Sequence, residues 1–147
     1  MDKELTAHEE TEAPSTLDLL LGKGILAVNK NLPTARYEVS RLSEDAGAPV
    51  IFTLQALPYG RVQEIKRLTE ESDIQILLAG CIDPDLKAPA LKEKFKGVTP
   101  AETVRNMLLA GEISDLSGAV EQLSGYRRKT IREVRSGWGR DWTRGWV

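Results

Sequence analysis

Between residues 74 and 126 the chain reads IQILLAGCIDPDLKAPALKEKFKGVTPAETVRNMLLAGEISDLSGAVEQLSGY, and this window constrains the fold more than any other. Its clearest local signal is Thr99-Pro100-Ala101-Glu102. Thr99 suits an N-cap, Pro100 fits the first helical position where its missing N–H is not needed, and Glu102 at the third position completes a capping box. Val98 can pack against Thr103 or Val104 as a staple. The helix that follows is expected to bury Val104, Met107 and Leu108, with Ala110-Gly111 as a kink or break. A second helical segment from Glu112 carries Ile113, Leu116, Val120 and Leu123 on one stripe, and Ser124-Gly125 supplies a stop. Such a stripe is either core or partner surface. The capping triplet and the stripe are the positions singled out here.

Upstream, Asp83-Pro84-Asp85 reads as a turn, because proline restricts its predecessor and aspartate accepts nearby amide bonds. A divalent-metal site at Asp83 and Asp85 is the alternative. Two carboxylates fall far short of the six to eight oxygens calcium takes, so no metal site is assigned. A short helix is expected over 90–96 with Leu91 and Phe95 on its apolar side. The run 74–82 is apolar on every side; helix is favoured over strand, although periodicity alone does not decide.

Residues 25–57 read as β structure. Alternation over 37–42, a polar turn at 43–48 and the run 50–57, with Val50, Phe52, Leu54 and Ala56 facing one way, form a hairpin; 25–28 can add a short strand. Pro58 then introduces a short helix with Val62, Ile65 and Leu68 at intervals of three. Ser15 can cap a turn holding Leu17, Leu19, Leu20 and Leu21, which ends at Gly22-Lys23-Gly24; Leu17, Leu20 and Leu21 form an apolar hook that can pack at home or on a partner. The expected architecture is α+β, mainly α: an N-terminal β-hairpin followed by a C-terminal bundle of short amphipathic helices.

Composition narrows the function classes. With 147 residues, 41% apolar and 29% charged, the chain can hold one globular core. Residues 1–14 place Asp2, Glu4, Glu9, Glu10 and Glu12 against Lys3 and read as a flexible acidic arm. They contain no apolar stretch of the secretory kind. No run approaches the roughly 18 apolar residues of a membrane span. Single residues His8 and Cys81 and the lack of a glycine-rich phosphate loop leave no catalytic constellation, so no catalytic residue and no cofactor is assigned.

The C-terminal residues 127–147 form a basic, tryptophan-rich tail. Trp138, Trp142 and Trp146 stand four apart, interleaved with Arg135, Arg140 and Arg144, while Gly137, Gly139 and Gly145 oppose a stable helix. Four readings stay open: an arm with aromatic anchors for a protein partner, a tail without a specific role, single-stranded nucleic-acid binding by stacking and phosphate contact, and contact with a membrane surface.

Several of these pieces together resemble a known family. Gly80-Cys81-Ile82-Asp83-Pro84-Asp85-Leu86-Lys87, then Pro89, Leu91 and Lys94, then Thr99-Pro100-Ala101-Glu102, then Leu108-Leu109-Ala110-Gly111-Glu112-Ile113, then Leu123-Ser124-Gly125-Tyr126, look like the XkdN-like tail assembly chaperones of long-tailed bacteriophages and defective prophages. Leu17-Asp18-Leu19-Leu20-Leu21, the hairpin and Val62-Gln63-Glu64-Ile65 fit the same pattern, so the resemblance spans roughly residues 15–126. It implies a non-enzymatic chaperone that coats the tape measure protein until tail tube subunits displace it. It also implies a protein of the bacterial host cytoplasm, absent from the mature virion, made in some cases in short and frameshift-extended forms. Tape measure protein, tail tube protein and other copies of the chain are then the expected partners, with no membrane role. A small phage nucleic-acid-binding or regulatory protein acting through the Trp/Arg tail is the alternative.

Overall fold

The computed structural model describes residues 13–134. The chain divides into two compact units, Met1–Asn31 and Leu32–Val147.

In the first unit, Ser15 Oγ accepts the Asp18 N–H at 3.1 Å and starts helix α1, Thr16–Leu20. Five residues are too few to hold a helix by propensity, so the cap and the acidic Asp18 in the first turn matter here. A 3-10 turn follows at Val28–Lys30. Residues 25–28 therefore form no strand; successive i→i−3 bonds, Lys30 to Ala27 and Asn31 to Val28, curl the segment instead.

The second unit is α+β and mainly α. Together with α1, the described residues hold seven α-helices and one three-stranded antiparallel sheet of order β1-β2-β3. Strand β1 is Thr34–Glu38 and β2 is Ile51–Gln55, paired Thr34 with Gln55 through Glu38 with Ile51. Between them lies helix α2, Ser40–Ala46, where a strand end and a polar turn were expected. Val39, Leu42 and Ala46 fit a helical spacing as well as residues 37–42 fit alternation. Two features favour the helix. Gly47 closes it in the left-handed region at φ 75°, and Ser43 Oγ accepts the Val50 N–H at 2.8 Å. β2 has the expected sidedness: Phe52, Leu54 and Ala56 are buried.

Helix α3, Tyr59–Leu68, buries Val62 and Ile65, while Leu68 at the same spacing is exposed. Helix α4, Ser72–Gly80, occupies most of the all-apolar run, and its last residue hands directly to strand β3, Cys81–Asp83, which joins the far side of β2. The run is thus both helix and strand. The sheet is not a self-contained N-terminal hairpin, because its third strand follows α4. Asp85 then accepts the Lys87 N–H at 3.0 Å, making the expected turn. Helix α5 is Pro89–Phe95, α6 is Pro100–Met107 and α7 is Ala110–Leu123. The break between α6 and α7 falls at Leu108-Leu109, before the Ala110-Gly111 pair that begins α7.

The core is shared by all of these elements. Helix α4 runs along α7, and both touch β2. Phe52, Leu54, Ile76, Leu77, Val104 and Val120 are sealed from solvent at their meeting point. At about 1.5–3 kcal/mol for each large aliphatic side chain, this one region supplies a substantial part of the driving force. Gly80 allows the approach. A Cβ placed on it would lie 2.7 Å from Val120 Cγ1 and 3.0 Å from the Gln55 carbonyl oxygen.

A polar clamp holds the periphery. Arg41 on α2 donates Nε–H to Glu112 Oε2 at 2.9 Å, and its second nitrogen donates to Glu112 Oε1 at 2.8 Å and to the Met107 carbonyl at 3.0 Å. Glu112 Oε1 also accepts the Leu109 N–H at 2.8 Å. One carboxylate thus caps α7 and ties α2 to the α6–α7 break. The hydrogen bond from Arg41 holds the Glu112 carboxyl below its ordinary value against the opposing effect of burial, and the same bond raises Arg41.

Gly80→Ala is expected to lower stability by about 1–3 kcal/mol, because Val120 cannot move out of a filled core. Gly118→Ala, on α7, meets nothing nearer than Arg127 at 3.7 Å and should be neutral or gain up to about 1 kcal/mol in helix propensity. Thermal unfolding of both variants checks the contrast. Because the folded-state value of Glu112 is depressed, its contribution is present above the unfolded carboxyl value of about 4.3 and is lost as pH falls through the lower folded value. Glu112→Gln should therefore lower the melting temperature at pH 7 and leave a shallower acid limb than the unaltered chain.

Candidate partner-binding surface

The apolar stripe of the helical window lies inside the molecule. Val104, Leu108, Ile113, Leu116 and Val120 are buried, with Met107 and Leu123 half-buried against them. Thr99 Oγ accepts the Glu102 N–H at 3.1 Å and Pro100 takes the first helical position. Glu102 reaches one residue further than a reciprocal box requires: its Oε1 accepts the Val98 N–H at 2.7 Å, not that of Thr99. Val98 itself is 75% exposed, so no staple forms on Thr103 or Val104. The polypeptide enters α6 with the Val98 side chain outward because its amide is drawn to Glu102. These residues position a helix.

The end of α7 is equally determined by its sequence. Gly125 lies at φ 101° and donates to the Gln122 carbonyl at 3.0 Å, while Tyr126 N–H donates to the Glu121 carbonyl at 2.9 Å. These two bonds make a Schellman ending. Ser124 Oγ donates to the Val120 carbonyl at 2.7 Å and accepts the Leu57 N–H at 2.9 Å, tying the exit of β2 to this helix end. Beyond it, Arg127 pairs with the buried Glu121 carboxylate, and Lys66 Nζ stands 3.8 Å from the other oxygen and 5.1 Å from the Tyr126 ring centre. The signal for this lay in the Gly125-Tyr126 pair, but its basic partners come from α3 and from the start of the tail.

Among the described residues, two of the depressions on the surface of the second unit bear on partner binding. The larger, about 460 Å³, is polar and surrounds Lys66, Asp73, Ser117, Glu121 and Arg127. The other, about 340 Å³, is lined by Ile74, Leu108, Ala110 and Ile113 between Asp73 and Arg105, with Ala110 the exposed one of the four. A groove of that lining can receive an apolar side chain flanked by charge.

Apolar exposure is concentrated elsewhere. In the first unit Leu17, Leu19, Leu20, Leu21, Ile25, Leu26 and Val28 are each more than half exposed, and neither α1 nor the 3-10 turn holds a buried residue. Single exposed aliphatics are ordinary, but seven within twelve positions of sequence are a feature of interaction segments. Leu17, Leu20 and Leu21 of the expected hook are among them. Trp138, Trp142, Trp146, Arg135, Arg140 and Arg144 lie outside the described residues.

Reactive chemistry is sparse. Among the described residues no group of three or more His, Cys, Asp or Glu side chains is placed to hold a metal ion. The Cys81 thiol donates to the Pro84 carbonyl at 3.3 Å. Burial, followed by the nearby Asp83 and Asp85 charges, pushes its pKa up to about 12. It is a thiol at neutral pH and a weak nucleophile. Alkylation by iodoacetamide at pH 7.5 should accordingly be slow in the folded chain and fast in urea. Equal rates in the two states would mean that Cys81 is neither shielded nor raised.

Among solved structures, the crystal structure of the protein YqbN is similar, with a TM-score of 0.54 at 21% identity over 79% of this chain and 99% of that one. At that identity the likeness concerns the fold alone. Comparison with curated proteins gives no match. Residues 69–135 match the family described as phage XkdN-like tail assembly chaperone protein, the family that the sequence resembles.

Proposed function

We propose that this protein binds the tape measure protein of a long-tailed phage during tail assembly, keeps it soluble, and is displaced when tail tube subunits polymerise around it. The observation that carries the reading is the family match, which falls on α4 through α7, the helices that build the core. Since that region spends its apolar stripe on the interior, partner binding falls to other surfaces. The run of exposed aliphatics from Leu17 to Val28 is the strongest of these. An apolar helix laid against it would remove both surfaces from water, the driving force a holding chaperone needs. The family is one of chaperones, which suggests action by binding without catalysis. Such work belongs in the host cytoplasm, and a displaced chaperone is absent from the finished virion.

Release follows from the same physics. A tube subunit that buries more apolar area per length of tape measure competes effectively, and no covalent step is required. The groove beside Ile74 and Ile113 is a second surface suited to one apolar side chain of the partner.

Co-expression with the tape measure protein encoded alongside it should keep that protein soluble, and the two should co-elute on gel filtration. A tape measure protein equally soluble alone, with no complex, overturns the reading. The variant Leu17→Ser with Leu20→Ser and Leu21→Ser should retain the melting temperature of the second unit and weaken the complex at least about tenfold, since even partial burial of these side chains is worth about 1–2 kcal/mol. An unchanged complex would move the binding surface away from the hook. Salt-sensitive binding of DNA or RNA that disappears on removing residues 126–147 would favour the tail-borne nucleic-acid function instead.

A further inference from the structure

Strand β1 is an edge, and its sequence makes that edge complementary to itself. In the register of β1 on β2, Val39 N–H donates to the Val50 carbonyl at 3.1 Å and Ala56 N–H donates to the Pro33 carbonyl at 2.9 Å. Hydrogen-bonded positions alternate along an antiparallel ladder. The odd-numbered residues of β1 therefore turn their amides toward β2, and Thr34, Arg36 and Glu38 turn theirs to the open side. Among the described residues no strand occupies that side. The same three residues have exposed side chains, and among the described residues neither Arg36 nor Glu38 takes part in an ion pair.

We propose that β1 pairs antiparallel with β1 of a second copy of this chain, about a two-fold axis through Tyr37, with Arg36 of each copy opposite Glu38 of the other. Three observations select this occupant and this register. First, the open amides are at even positions, so only an even–even alignment makes hydrogen bonds; a slip of one residue places each outward amide against a residue that faces the wrong way. Second, slips of two residues place Arg36 against Arg36 or Glu38 against Glu38, and directly opposed like charges are unfavourable. Third, the chosen register places two opposite charges across from each other twice, on the exposed face, and brings the half-buried Tyr37 of each copy together at a non-hydrogen-bonded position with α-carbons about 4.5 Å apart.

Charges on edge strands ordinarily prevent such pairing. They do so when like meets like. Here the two charges are of opposite sign and two residues apart, so reversing the strand direction turns the deterrent into an attraction. A five-residue strand pair is smaller than a standard interface of about 1,600 Å², so the association is weak and concentration-dependent. The pairing does not rest on the tape measure reading. If that reading holds, copies aligned on one long partner would meet at a high effective concentration, and weak edge contacts would add cooperativity along it.

Sedimentation equilibrium of the full chain, up to about millimolar concentration, tests the proposal. The unaltered chain should show a monomer–dimer equilibrium that weakens as salt rises. Arg36→Glu and Glu38→Arg should each weaken it about tenfold, through two lost attractions and two new repulsions. Mixing the two variants should restore association, because an all-acidic edge then meets an all-basic one, and the chain carrying both substitutions should dimerise as the unaltered one does. Both side chains are exposed, so circular dichroism should be unchanged. A monomer at every concentration, a dimer indifferent to salt and to both single variants, or variants that fail to rescue one another when mixed would each overturn it.

Discussion

The rest of the second unit depends on the contact of Gly80 with Val120. Helix α4 must lie close enough to α7 for their side chains to close the core, and it must end where the chain can enter the sheet. Both requirements fall on one residue. Gly80 is the last residue of α4, its α-carbon faces Val120 on α7, and Cys81 already belongs to β3. With no loop between helix and strand, the position of α7 sets the position of the sheet edge. Packing in a close-filled interior transmits such constraints because it yields little. Phe52 and Leu54 on β2, Ile76 and Leu77 on α4 and Val104 on α6 then share one buried cluster.

Around this centre the elements are short, and short helices do not hold themselves. Several of their ends are secured by polar side chains. Glu112 caps α7 while receiving Arg41 from α2; Ser124 joins the end of α7 to the start of the link after β2; Asn106 on α6 donates to the Phe95 carbonyl at the end of α5 at 2.8 Å. The Arg41–Glu112 pair is bidentate and partly shielded, which places it above the usual exposed ion pair in worth. Arg105 with Glu71, by contrast, is exposed on both sides and contributes little by the same reasoning.

What the sequence discloses follows the range of the interaction. The start of α6 is legible because Thr99, Pro100 and Glu102 act within one turn of one another, and the Gly125 ending is legible for the same reason. The stripe from Val104 to Leu123 is legible because helical spacing requires only the local chain. The all-apolar run from Ile74 to Ile82 is not, since its division into helix and strand is imposed by Val120, forty residues beyond Gly80. Residues 39 to 42 satisfy two periods at once, and the choice of helix rests on the Ser43 bond to Val50 and the left-handed Gly47. The Arg41 clamp joins positions 71 apart, and no local pattern marks it. Even within the capping motif, the local rule places Glu102 on the Thr99 amide, whereas the actual path of the chain brings Val98 N–H nearer.

The same division explains where a partner can be met. A chain this size has few apolar residues to spare once a core is closed, and the family-matching helices use theirs inward. Among the described residues, the surfaces that the core leaves open to a proposed partner are the aliphatic run before β1, the shallow groove between Asp73 and Arg105, and the open amides of the sheet edge. The last two lie on the unit that also sets the fold, so they can be altered only at positions whose side chains are already exposed. The first carries no buried residue at all. Its apolar character is thus not used by the described core, and burial of its seven exposed aliphatics against another surface would be favourable.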